Sequence, residues 1–252
     1  MNKYLAIIIF LFAVGSFLPA SELEDIFQDA VTAFENKEYE TSLNLFLSIE
    51  NENIQNPDLF YNIGNCYFRL NKFGKAILYY KRALKFDPTH KSSKRNLEFV
   101  LTFTQDKQLE DEPDLISSLW LKLRNSVSLN MAAVIVLCLF IINFILIMLI
   151  ITKFRNRDKT SLVFTLTIAL IFLMFFSAVS LLKWKNFTSD TEAVLISPSA
   201  IGYSGPGEEF TRVFTIHEGM IFEIEKTETD WSLIKLPNGL GGWIKKNFYL
   251  KI

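Results

Sequence analysis

The chain has 252 residues, with 26 basic and 27 acidic side chains and a net charge of −1. That balance excludes the broad basic field that holds nucleic acid by counterion release. Half of the residues are hydrophobic and 21% are charged, and the apolar excess is concentrated in three blocks. Two cysteines, Cys66 and Cys138, are too few for a disulfide scaffold or a four-thiolate zinc site. His90 and His217 stand far apart in the sequence, so neither a metal site nor a cofactor is expected, and the material for catalysis is thin.

The first apolar block opens the chain. Lys3 precedes an apolar run from Tyr4 to Val14, and Gly15, Ser16 and Pro19 break it before Ala20 and Ser21. This is the layout of a secretory signal peptide over 1–20, cleaved after Ala20; Leu18 at the −3 position leaves an uncleaved anchor as the rival reading. Either way the following segment is expected to be exported.

Residues 21–108 read as a helical repeat array with a capping helix. From Pro57 to His90, Phe60, Ile63, Gly64, Tyr67, Ala76, Tyr80, Ala83 and Pro88 follow the tetratricopeptide spacing. Gly64 and Ala76 are small where two antiparallel helices cross, and aromatic residues fill the seam. Residues 23–56 fit the same register without a gap: Ala30 aligns with Gly64, Ala33 with Tyr67, Tyr39 with Phe73, Ser42 with Ala76 and Phe46 with Tyr80. Leu97, Val100, Leu101 and Phe103 mark one face of a helix within 91–108 that closes the array.

Charge is split along the array. Residues 21–56 carry nine acidic and one basic side chain, whereas residues 57–101 carry nine basic and three acidic. Such a split reads either as a polarised docking surface or as ordinary solvated faces. Asp58, Tyr61, Asn62, Asn65 and Phe68 are the candidate partner-binding groove. A complete carboxylate clamp is not expected, because Phe27 and Val31 occupy the matching area of the first repeat. Cys66, with no histidine beside it in sequence, reads as a packed residue.

A polar linker and an amphipathic, interfacial helix around Leu115–Leu123 fill 109–130. Two spans follow, 131–152 and 161–182; each would be about 33 Å of helix, enough to cross a hydrocarbon core of about 30 Å. The loop between them, 153–160, carries four basic residues and one acidic residue, which the positive-inside rule places in the cytoplasm. Trp120 and Trp184 fall where aromatic belts sit. Both flanking domains are then expected on the periplasmic side of a bacterial inner membrane. Asn143 reads as an interhelical hydrogen-bonding group, and neither span holds an ionisable residue that would serve a transport path.

After Asn186 come short β-prone runs: Ala193–Ile196, Arg212–Ile216, Met220–Lys226, Trp231–Leu236 and Trp243–Ile244, with Asn238-Gly239 as a hairpin turn. Five strands in about sixty residues suggest a small closed barrel. The Ser204-Gly205-Pro206-Gly207 loop, His217-Glu218-Gly219, Asp230-Trp231 and Gly241-Gly242-Trp243-Ile244 resemble the bacterial Src-homology-3-like domain over 190–252. Gly202 and Tyr203 stand where that family has an apolar and a basic residue. The resemblance implies a groove for peptidoglycan stem peptides or other peptides. Tyr203, Trp231 and Trp243 are the candidate platform, although both tryptophans also suit core and hairpin packing.

The order of signal, tetratricopeptide repeats, two spans with a basic loop, and a small all-β domain resembles the BatE family of aerotolerance-operon membrane proteins. That resemblance implies partners with von Willebrand factor A domains and a MoxR-type ATPase system. Three readings follow: a non-enzymatic membrane scaffold, an envelope sensor or anchor that binds peptidoglycan through the barrel, and, last, an enzyme, for which no nucleophile–histidine motif or ligand set is visible.

Overall fold

The computed structural model describes residues 20–106, 127–152, 160–189 and 191–252. The apolar leader, Trp120, the interfacial segment and the basic interspan loop lie outside the described residues.

Five helices form the first region: α1 (Ala20–Glu35), α2 (Tyr39–Asn51), α3 (Pro57–Arg69), α4 (Phe73–Phe86) and α5 (Lys91–Leu101). The 34-residue register is written into the backbone. Asn36, Lys37, Glu38 and Ser42 donate to the carbonyls of Thr32, Phe34, Ala33 and Glu38. Leu70, Asn71, Lys72 and Ala76 repeat the pattern on Cys66, Phe68, Tyr67 and Lys72. Lys37 and Asn71 are the paired turn residues, at φ 65° and 57°. Gly64 is obligatory where α3 crosses α4, since a Cβ there would lie 2.7 Å from the Tyr80 ring. Pro57 takes the first turn of α3, behind Asn56, whose side chain accepts from the Asp58 and Leu59 amides. The capping helix is shorter than 91–108: it stops at Leu101.

Helices α6 (Leu129–Thr152) and α7 (Thr160–Thr188) pack side by side as an antiparallel hairpin. Both are long and apolar enough to cross a membrane, and their large side chains point outward. Asn143 is buried, but it bonds within its own helix. Its amide donates to the Leu139 carbonyl at 2.8 Å, and its Oδ1 has no partner. The expected bond to a hydroxyl of the second span is not formed. The Thr165 and Thr167 hydroxyls of α7 are likewise turned back onto their own helix carbonyls.

The C-terminal region is a seven-stranded antiparallel sheet: β1 (Glu192–Leu195), β2 (Ser199–Tyr203), β3 (Arg212–His217), β4 (Ile221–Glu228), β5 (Trp231–Lys235), β6 (Gly241–Lys245) and β7 (Tyr249–Lys251). The order is β3-β2-β6-β5-β4-β1-β7, so β3 and β7 are free edges and the expected closed barrel is an open sheet. β2 and β7 are not visible as strands in the sequence; Pro198 precedes and Gly202 interrupts the first, and the second has only three residues. The strands bend around one core, with Leu195, Ile216, Phe222, Ile234 and Ile244 nearly inaccessible. Gly202 and Gly242 make room for Phe214: a Cβ on either would lie 2.3 or 2.8 Å from its ring. Gly202 thus exchanges its own side chain for a phenylalanine from the neighbouring strand.

The helical array and the sheet are joined along α4. Val194, Ile221 and Ile252 belong to the helical core, against Ile77 and its neighbours. Lys72, the residue before α4, offers no side-chain cap, and the Glu218 carboxylate takes that place, accepting from the Gly74 amide at 2.8 Å. Asp106 bonds the His217 amide and imidazole at 2.6 and 2.9 Å, and Lys81 pairs with Glu192 at 3.1 Å.

This junction is testable in the full-length protein. Gly74→Ala places a methyl 2.5 Å from the Leu195 carbonyl oxygen and should separate the two regions, so that protease cuts between them. Glu218→Ala adds no clash and should cost about 1 kcal/mol of stability as a lost cap. Unchanged proteolysis and unfolding in both variants would show that the junction contributes nothing.

Candidate functional site

The α3 face carries the five candidate groove residues, and α5 packs over most of it. Asn65 Oδ1 accepts from the Tyr80 hydroxyl at 2.8 Å and from the Asn96 amide at 2.9 Å, which ties α3, α4 and α5 together. The Tyr61 ring lies 5.4 Å from His90 and 6.1 Å from Tyr80. Asn62 is half-buried and its side chain makes no hydrogen bond among the described residues. Of the five, Asp58 and Asn62 therefore retain polar groups for a partner, whereas Asn65 is occupied internally.

Phe68 belongs to a larger feature. Its ring sits within 6 Å of Phe73, Phe99 and Phe103. Phe99 and Phe103 remain 54% and 49% exposed, four residues apart on one stripe with Arg95 and Lys91. Phe99 was missed in the sequence reading because it lies off the Leu97–Val100–Leu101 face; its spacing from Arg95 and Phe103 was the available signal. The patch is an apolar surface beside basic residues at the end of the array.

Asp58, His90 and Ser93 stand in line. Asp58 Oδ1 is 3.0 Å from His90 Nε2, and Ser93 Oγ is 2.7 Å from Nδ1. Those distances match a nucleophilic triad, but the surroundings do not. Nδ1 already accepts the Ser93 amide at 3.1 Å, so Nε2 carries the proton toward Asp58, and the line serves as the N-cap of α5. Ser93 is fully buried, which leaves no approach for a substrate. His217 is likewise held by Asp106, and among the described residues no three His, Cys, Asp or Glu side chains converge as a metal-binding group.

Cys66 is fully buried with its sulfur 3.4 Å from the Ser42 hydroxyl. Burial pushes its thiol from an ordinary 9.0 up to about 11. Burial also raises the phenols of Tyr79 and Tyr80, and Glu50 beside Tyr79 adds to the shift there.

On the sheet, Tyr203, Trp231 and Trp243 do come together. Tyr203 faces Trp243 across β2 and β6, and its ring meets Trp231 edge-on at 5.6 Å. Both tryptophans are half-buried on the outer face. Lys226 and Lys245 lie 5.9 and 5.6 Å over their rings, and Lys245 also bonds Glu208. The tryptophans are outside the inner core, whereas Tyr203 is buried beneath them.

Comparison with protein families matches residues 57–90 to the tetratricopeptide repeat. Comparison with curated proteins gives no match. Tetratricopeptide repeats are protein-interaction modules, so a role in binding other proteins follows from the match.

Two outcomes follow from this geometry. Asn65→Ala leaves the Tyr80 hydroxyl and the Asn96 amide without their shared acceptor and should cost about 1–3 kcal/mol, whereas Asn62→Ala should stay within about 0.5 kcal/mol of wild type. Equal unfolding midpoints would contradict the internal role of Asn65. The buried thiol and phenols have folded values above their unfolded ones. The thiol's contribution is therefore complete below pH 9.0 and is lost as pH rises through about 11, and the phenols add to the fall above pH 10.0. Helical circular dichroism should show stability falling over that window, and a flat profile would contradict the assignment.

Proposed function

We propose that this protein is a non-enzymatic membrane scaffold whose tetratricopeptide array recruits partner proteins. The observation that supports the reading is the repeat at 57–90 together with the phenylalanine patch its last helices leave open. A partner suited to this surface brings apolar anchors for Phe99 and Phe103 and acidic residues for Arg95 and Lys91. The charge of the interspan loop supports an inner-membrane placement, with both domains periplasmic. The BatE-like order of segments suggests von Willebrand factor A-domain proteins as partners in a stress or aerotolerance complex. The lone histidines, each held as a structural group, support a protein without turnover of its own.

A second reading has its own observation. The convergence of Tyr203, Trp231 and Trp243 favours a peptide platform, through which the protein would sense or anchor to peptidoglycan stem peptides.

Affinity purification of the detergent-solubilised full-length protein, followed by mass spectrometry, separates the two. Under the scaffold reading defined membrane proteins co-purify and are lost on Phe99→Ser with Phe103→Ser, while Trp243→Ala retains them. Recovery of cell-wall peptides that depends on Trp243 would move the function to the sheet. Turnover of a substrate by the purified protein would overturn the non-enzymatic reading.

A further inference from the structure

Helix α5 begins a third repeat that the array does not finish. The tetratricopeptide match ends at His90, and α5 opens at Lys91, one repeat length after Pro57 opens α3. Both helices start in the same way. Asn56 accepts the Leu59 amide at 3.3 Å, and His90 accepts the Ser93 amide, at the matching position, at 3.1 Å. In register, α5 is therefore the first helix of a repeat pair, and the faces of α3 identify the matching faces of α5.

A first helix has two packing faces. One pairs with the second helix of its own repeat; on α3 it carries Phe60, Gly64 and Tyr67, against Tyr79 and Tyr80. The matching positions of α5 are Lys94, Glu98 and Leu101, and the first two are exposed charges, which suits water and not a paired helix. The other face stacks on the first helix of the next repeat. On α3 it holds Tyr61 and Asn65, which meet His90 and Asn96. On α1 the matching pair is Phe27 and Val31, partly buried against the helical core. On α5 it is Arg95 and Phe99, with the Phe103 ring 5.2 Å from Phe99. Both phenylalanines are about half exposed, and Lys91 and Arg95 are exposed one and two turns before them. Helix α5 thus lacks the face for a paired helix and keeps the face for a stacked one.

We propose that a partner protein stacks an amphipathic α-helix on this face, parallel to α5 and in the place of the next repeat's first helix. The inference rests on the scaffold reading and deepens it by naming what docks. Lys91, Arg95 and Phe99 recur every four residues along α5, so a helix laid alongside meets them at matching intervals, which an extended chain with its two-residue period does not. Charge sets the direction. The basic residues precede the phenylalanines, so the partner helix carries acidic side chains in its first turns, where its own dipole also favours them, and apolar ones a turn or two later. The α1 helix of a second copy matches only half of this. It exposes the acidic Glu22, Asp25 and Asp29, but polar Gln28 stands where Asn96 of α5 meets Asn65, and no exposed apolar side chain there answers Phe99.

The test uses the full-length protein in detergent and labelled synthetic peptides of about sixteen residues, long enough to form a marginal helix alone. Fluorescence anisotropy reads binding and circular dichroism reads helix formation. One peptide has glutamates in its first turn and leucines along one helical face. A second has the same composition with the glutamates in its last turn, and a third is the first with prolines at its centre. The first should gain helicity on binding and bind about tenfold tighter than the others. Phe99→Ser should weaken it about tenfold. Arg95→Gln should weaken it and flatten its salt dependence, and Glu98→Gln, on the pairing face, should leave it unchanged. No binding of the first peptide, equal binding of all three, or no effect of Phe99→Ser and Arg95→Gln overturns the helical occupant. So does a dimer, seen by light scattering, that Phe99→Ser dissociates, because a second copy then fills the face. The scaffold reading is judged separately, by whether membrane proteins co-purify through Phe99 and Phe103, and it survives each of the peptide failures.

Discussion

Helix α4 is covered on nearly every side, with even its basic residues Lys75, Lys81, Arg82 and Lys85 only partly exposed, and the arrangement of the molecule answers that constraint. Ala76, Ile77, Leu78, Tyr79 and Tyr80 are consecutive and all buried, which a helix on the outside of a two-layer array cannot achieve. One side packs against α3 and α5, as a tetratricopeptide helix does. The other is covered by β1 and by the turn between β3 and β4, which brings Glu218 to the uncapped start of the helix. The bare Cα of Gly74 sets how closely the sheet approaches. The acidic cap, the glycine and the apolar run act together, because none of them has a purpose without the sheet.

The same packing divides the α3 face into structural and available parts. Asn65 and Tyr61 serve the fit of α5, and the Asp58–His90–Ser93 line fixes where α5 begins. What remains outward on α3 is chiefly Asp58 and Asn62, while Phe99 and Phe103 are exposed on and just beyond α5 itself. A terminal helix normally shows water a polar face, because it has no following repeat to pack against. Here the helix shows Phe99 and the turn after it Phe103, which makes the end of the array its most apolar exposed surface among the described residues.

Much of the helical region was legible in the sequence, because its signals are local. Gly64, Ala76 and Pro88 fall at repeat spacing, and the turn residues Lys37 and Asn71 recur with it. The junction with the sheet was less legible, since it pairs residues far apart in the chain, such as Gly74 with Glu218 and Asp106 with His217. One clue was present: the Ala76–Tyr80 run is too wide for a single buried face. The sheet was read partly. Asn238-Gly239 identified the hairpin, but closure depends on whether two edges meet, and no residue pattern records that. Asn143 shows the same limit, for a polar side chain within a span can bond across to a neighbour or back to its own helix, and spacing does not separate the two.

Helix α7 does not end with its apolar stretch. Its 29 residues are about 43 Å long against a hydrocarbon core of about 30 Å, and its last turn reaches Phe86 of α4 through Phe187. With α6 and α7 placed in a bilayer, the array is thereby mounted on a stiff post and not on a tether. It stands at a fixed height above the lipid, and the post allows little freedom to stretch toward distant targets. Under the proposed scaffold function such an arrangement would act as a ruler, admitting ligands whose binding segments are presented at one distance from the membrane and passing over identical segments carried higher or lower.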